Sequence, residues 1–328
     1  MKNMRYLLYL FLLCLLGCAN IPAIEEDEYI AYDSVRPCPG QSDIYILNLN
    51  SKKEIRLTFT KSIDEFCPSW SPDGEKLIFV SHPAKLYLID FKKGKLKELK
   101  TPQINGAICF SANSKRIIFA NCEENKNFEL YAIDINGKHL RRLTYTPDFQ
   151  EDDPSCSPDG KKIVFRVSIY DKEKKDKEGI YTMDVENGSL TNLTKLTGDG
   201  ESPSYSPDGK KMIFYSKREG DKSAKIYIMD ANEPKSAKRL IENNQQNIHA
   251  ELYPSWSPDG NKVLFTGYIP DPLRKGPGNM ELFIVNSDGS NLQRLTYSDP
   301  SLARYYWSSW RPCPKSLKDR EKNSFDKK

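Results

Sequence analysis

Histidine is almost missing from this chain: His82, His139 and His249 are the only three in 328 residues, and they are far apart in sequence. No His-Glu-x-x-His pair occurs, and beyond the N-terminal apolar run no two cysteines stand at a zinc-ligand spacing. A Gly-x-Ser-x-Gly nucleophile elbow and a glycine-rich phosphate loop are also absent. The chain lacks an excess of one charge. Lys and Arg number 49 against 45 Asp and Glu, a net +4, and Lys2 and Arg5 account for half of it. That balance argues against nucleic acid as a partner. Helical periodicity is missing as well. What the chain does have is aromatic side chains, 18 Tyr and 14 Phe among them, enough to pack a core.

The N-terminus stands apart from the rest. Lys2 and Arg5 precede an uncharged apolar run, Tyr6 to Leu16, that is too short to span a bilayer as a helix and reads as a signal sequence. It ends in Leu15-Leu16-Gly17-Cys18, which resembles the bacterial lipobox. The resemblance implies cleavage after residue 17 and acylation of Cys18, and several acyl chains on one residue give stable membrane attachment. Ala19 follows, with no Asp there, which favours the outer membrane in enteric bacteria. Residues 18–27 are then a short linker.

Beyond it the chain repeats itself. Residues 68–74 read Pro-Ser-Trp-Ser-Pro-Asp-Gly, and the phrase returns at 154–160, 203–209 and 254–260 with Cys, Tyr and Trp at its third place. Degenerate copies stand at 108–114 and 308–314. Ser-Pro-Asp-Gly is turn chemistry: Pro presets φ, Asp bonds back to its own backbone and Gly takes a left-handed conformation. Short apolar strands follow, such as Leu77 to Val80 and Met212 to Tyr215. A third strand recurs six times, as in Tyr45 to Asn48, Tyr87 to Asp90 and Phe283 to Asn286. A fourth closes near Arg56-Leu57-Thr58, Arg142-Leu143-Thr144 and Arg294-Leu295-Thr296. Four strands per unit of about 40 to 54 residues is the blade pattern of a propeller.

The spacing predicts an all-β, six-bladed β-propeller over residues 28–312. Its blades fall at 28–60, 64–100, 104–144, 151–197, 200–241 and 250–297. The first blade lacks an innermost strand, which Tyr305 to Trp310 supplies from the other end, closing the ring. Residues 313–328, rich in bases and poor in apolar side chains, read as a charged tail. The repeats resemble the WD40-like (PD40) repeats of the TolB propeller family. That resemblance implies a non-catalytic protein of the bacterial envelope, facing the periplasm and binding envelope proteins of a Tol-Pal kind. TolB carries an additional α/β domain ahead of its propeller, whereas here only Ala19 to Asp27 separate Cys18 from the first strand.

No cofactor is called for. The alternative function is a glycan-active lyase or hydrolase with a metal in the channel, since oligogalacturonate lyase has a similar propeller; His249 beside Glu251 is the feature it would use. Of the cysteines, Cys38 and Cys313 sit in matched Arg-Pro-Cys-Pro phrases. They fall at opposite ends of a strand about 17 Å long, beyond the roughly 7 Å a disulfide spans. Cys109 and Cys156 fall on innermost strands as packed thiols.

The loops leading into the innermost strands carry acids. Glu65, Glu151 and Glu251 stand three residues before the repeated Pro, with Asp64, Asp152, Asp153 and Glu201 close by. These seven are expected to crowd one mouth of the channel and to take a divalent cation or a basic segment of a partner. The plainer expectation is that each caps local backbone or pairs with a neighbour such as Arg304. Long loops at 168–179, 217–225 and 268–279 open on the same face, the usual binding side.

Overall fold

A computed structural model describes residues 21–22, 24, 27–35, 41–60, 63–122, 127–169, 177–193, 200–218, 220–242, 246–270, 278–297 and 304–312. The segment read as a signal sequence, Cys18, Cys38, Cys313, the segment read as a charged tail and the centres of two long loops lie outside these residues. The described chain forms 24 strands in six antiparallel sheets of four. Five sheets run in chain order from the channel outward, and the sixth takes β24 (Arg304–Trp310) as its innermost strand beside β1 (Tyr29–Val35). The ring therefore closes as the sequence predicts, with Ile30 opposite Trp310 and Tyr32 opposite Ser308.

Each blade is held by the same cross-strand pair. An aromatic residue on the second strand faces one on the third, in register and stacked: Tyr32 with Tyr45, Phe79 with Tyr87, Phe119 with Tyr131, Phe165 with Tyr181, Phe214 with Tyr227 and Phe265 with Phe283. Ring centroids lie 5.4 to 6.3 Å apart across the six pairs. Such pairs add about 0.5–1.5 kcal/mol each beyond area burial, and they explain why Ile-x-Phe and Tyr-x-x-Asp recur.

The Ser-Pro-Asp-Gly turns form the opposite face from the channel mouth, and each is a closed set of hydrogen bonds. Ser71 Oγ donates to Asp73 Oδ1 and accepts from Lys76 N, while Asp73 Oδ1 also accepts from Glu75 N. Ser157, Ser206 and Ser257 repeat this with Asp159, Asp208 and Asp259. The degenerate copy keeps it with Asn113 for Asp, and Ser114 takes the left-handed φ of 56° that Gly occupies elsewhere.

Arg311 ties the closing strand to its neighbours. Its backbone N–H donates to Tyr29 O, its Nε donates to Gly74 O at 2.9 Å, and its guanidinium lies over the Tyr29 and Trp70 rings. Gly74 is at φ 69° and a methyl there would come within 2.2 Å of the Pro312 oxygen, whereas Gly188 at φ 71° has nothing within 4 Å. Alanine at either position meets the left-handed strain of about 1–2 kcal/mol. Gly74→Ala is thus expected to lower the urea midpoint clearly more than Gly188→Ala, the excess reporting ring closure. Equal midpoints would show that the Pro312 contact is dispensable.

Candidate functional site

The six innermost strands line a central channel of about 180 Å³. Its wall is the repeated phrase itself: Ser69, Cys109, Ser155, Ser204, Ser255 and Ser309 stand at equivalent places around it. Just upstream, every innermost strand carries a β-bulge against its partner strand. Cys67, Asp153, Ser202 and Tyr253 take left-handed φ values of 47° to 54° there, and all four line the channel. A bulge inserts one residue, so the alternation of side chains reverses on its upstream side.

That reversal separates the seven acids expected at the mouth. Glu65, Glu151 and Glu251, three places before Pro, turn away from the channel and are buried between blades, at 3%, 0% and 1% exposure. Glu151 accepts from the Thr144 and Thr146 hydroxyls of the preceding blade. Glu251 accepts from Ile226 N and from Lys225 Nζ at 3.2 Å, and Glu65 lies beside Thr58 and Thr60. These three latch one blade to the next, as the plainer expectation has it. Asp64 caps Ser42 N at 2.9 Å. Asp152, Asp153 and Glu201 are the ones brought together.

Arg166, on β13 (Lys162–Ser168), stands between them. Its Nη1 lies 3.2 Å from Asp152 Oδ2 and its Nη2 lies 3.4 Å from Glu201 Oε1. Asp153 Oδ2 accepts from Ser202 N and Oγ, and the Tyr215 hydroxyl donates to Glu201 Oε2 at 2.6 Å. One guanidinium thus faces three carboxyls. Burial, then the neighbouring Asp153, pushes Asp152 up to about 7, and Asp152 Oδ1 is buried with no hydrogen-bond partner among the described residues. Burial raises Asp153 too. An arc of rings continues the rim: Tyr215 meets Tyr253 edge-on at 5.5 Å, Tyr253 meets Trp307 at 4.7 Å, and Trp307 meets Phe66 at 6.4 Å.

Sequence reasoning missed Asp33, Arg166 and Tyr215, which occupy one equivalent place, directly after the aromatic of the second strand. A polar residue there, where Val80 and Ala120 stand in other blades, was the available signal. Asp33 is 1% exposed. It accepts from Trp307 N at 3.0 Å and Ser42 Oγ at 3.4 Å, and burial pushes it up to about 8.

The histidines do not converge. His139 pairs with Asp134 in a turn of the third blade, His249 lies near Tyr268, and His82 is in a turn of the second blade. Among the described residues no three His, Cys, Asp or Glu side chains are placed to hold a metal ion.

Closed ring and bulged channel wall define a six-bladed β-propeller with a polar mouth. Residues 35–173 match the family described as TolB beta propeller domain. The Tol-Pal system protein TolB of Francisella tularensis is 28% identical over 180 residues, covering 53% of this chain and 40% of that protein. The crystal structure of TolB from Acinetobacter baumannii superimposes with a TM-score of 0.70 at 22% identity, over 92% of this chain and 70% of that one. A putative TolB from Agrobacterium tumefaciens gives a TM-score of 0.65 at 22% identity, over 87% and 99%. Residues 35–173 thus carry a TolB-like PD40 propeller domain, and the chain as a whole is similar in fold to the TolB propellers. Its match spans about 40% of the length of the Francisella relatives.

The raised carboxyls set a pH dependence. Asp33, Asp152, Glu65 and Glu151, the last two pushed by burial up to about 7, keep their protons to higher pH when folded than when unfolded. Between about pH 4 and about pH 8 the folded state therefore holds more protons, and stability falls as pH rises through that window. Tm is expected to drop by several degrees from about pH 5.5 to about pH 8, and Asp33→Asn should flatten the slope. A Tm that is level or rising across the window would contradict these assignments.

Proposed function

We propose that the chain is an envelope-anchored binding module, non-catalytic, whose channel mouth at the fourth and fifth blades docks a basic segment of an envelope protein. The carrying observation is the set of Asp152, Asp153 and Glu201 around a single Arg166, flanked by the Tyr215–Tyr253–Trp307 arc. A Lys or Arg side chain entering there meets surplus carboxylate and ring faces together, the two environments that hold a partly desolvated cation. The Tol-Pal name of the Francisella relatives supports an envelope protein partner of that kind. The lipobox-like Leu15 to Cys18 supports attachment to the membrane facing the periplasm, and Ala19 in place of Asp favours the outer membrane.

With a Cys18→Ser chain as bait on envelope extract, a partner should be recovered in a salt-sensitive manner. Glu201→Lys together with Asp152→Lys should reduce that recovery about tenfold or more, while Glu186→Lys, on the far side of its blade, should leave it unchanged. Recovery indifferent to the mouth reversal would place the docking surface elsewhere.

A further inference from the structure

Two places in the repeat are occupied with little variation, and each is broken once by cysteine. The residue after the repeated Pro is Ser in five blades, counting Ser309, and Cys109 in the third. The next residue is aromatic in five blades, Trp70, Phe110, Tyr205, Trp256 and Trp310, and Cys156 in the fourth. These two departures touch each other. Cys109 Sγ lies 3.8 Å from Cys156 Sγ across the boundary between the third and fourth blades, on innermost strands β8 (Asn105–Phe110) and β12 (Gln150–Cys156).

Both residues border open space. Cys109 lines the central channel. Cys156 lines a second cavity of about 690 Å³ between the same two blades, with Ile118, Leu143 and Ile163 on its wall. A cysteine stands where other blades put a ring, and the space is left open beside it. The two thiols are thus the partition between channel and cleft, and neither is fully buried. Cys67, by contrast, is buried at 4% exposure.

We propose that Cys109 and Cys156 are a disulfide-forming pair that staples the third blade to the fourth at the channel wall. Closing the bond needs the sulfurs to approach from contact to about 2 Å, a movement of side chains on two neighbouring strands. The oxidant is a disulfide, either that of a small thiol such as oxidised glutathione or that of an oxidised dithiol protein. One cysteine thiolate attacks it and forms a mixed disulfide, releasing one reduced thiol. The second cysteine thiolate then displaces the other, so one sulfur–sulfur bond forms, one breaks, and the two protons end on the reduced oxidant. The adjacent Cys109 sulfur and burial push the Cys156 thiol up, so the exchange quickens with rising pH. The bond closes a loop of 47 positions, the span from Cys109 to Cys156, which restricts the unfolded chain. Nothing in this chemistry depends on what docks at the mouth.

The test takes the full chain through oxidised glutathione or dithiothreitol, traps free thiols with a maleimide and maps cysteines by peptide mass spectrometry. A Cys109–Cys156 linked peptide is expected after oxidation and not after reduction, with a Tm several degrees higher in the oxidised form. Cys109→Ser restores the residue that five blades already carry, and it should abolish both the link and the redox dependence of Tm. Free Cys109 and Cys156 after oxidation, a separate glutathione adduct on each, or linkage to other cysteines would overturn the proposal. Should Cys109→Ser fold poorly, the peptide map of the unaltered chain decides alone.

Discussion

The antiparallel pairing of β24 with β1 is the constraint on which the remaining structure rests. Six twisted sheets set side by side would leave one face of the first and one face of the last uncovered, and the first sheet would lack its innermost strand. Joining the last strand to the first completes that sheet and brings the two end blades together. It also brings Arg311 against Gly74, Tyr29 and Trp70, so the first and second blades are fixed by residues far apart in the chain. The channel has a definite bore only because this seam is shut.

Within the ring two kinds of interaction divide the labour. The stacked pairs, from Tyr32 with Tyr45 to Phe265 with Phe283, hold each blade together internally. Buried carboxyls join blade to blade, Glu151 reaching back to Thr144 and Thr146 and Glu251 to Lys225. Unpaired, a buried carboxylate would be expensive, and hydroxyl, ammonium and backbone donors offset that cost. The mouth is built differently: at Asp152, Asp153 and Glu201 the acids outnumber the single Arg166 beside them. On the proposed reading, that surplus of carboxyls is what a basic segment of a partner would meet.

The fold was legible because its signals are local and repeated six times. Pro-Ser-x-Ser-Pro-Asp-Gly fixes a turn through its own Ser and Asp side chains, and the strand-borne aromatics announce their register. Even the borrowed strand could be found, since Tyr305 to Trp310 fills a gap visible in the count. The site was half legible. The run from Glu151 to Asp153 marks the region, but which acid faces the channel depends on one inserted residue in the ladder, seen between Asp152 and Ser155. The expectation set Glu65, Glu151 and Glu251 in loops at the mouth, whereas they stand on the innermost strands and are buried between blades. Arg166 was hidden for another reason: its partners come from two different blades, and no sequence spacing connects it with Glu201.

The bulge has a consequence of its own. It repeats around the ring, yet the side chains it presents do not: Phe66, Asp152, Glu201 and Leu252 occupy one equivalent position, and Cys67, Asp153, Ser202 and Tyr253 the next. A scaffold with near sixfold rotational symmetry therefore carries a rim with none. A partner docked at the proposed mouth would find a single azimuth out of six where charge and rings match, and so would be held in one orientation, like a dial with one numbered hour.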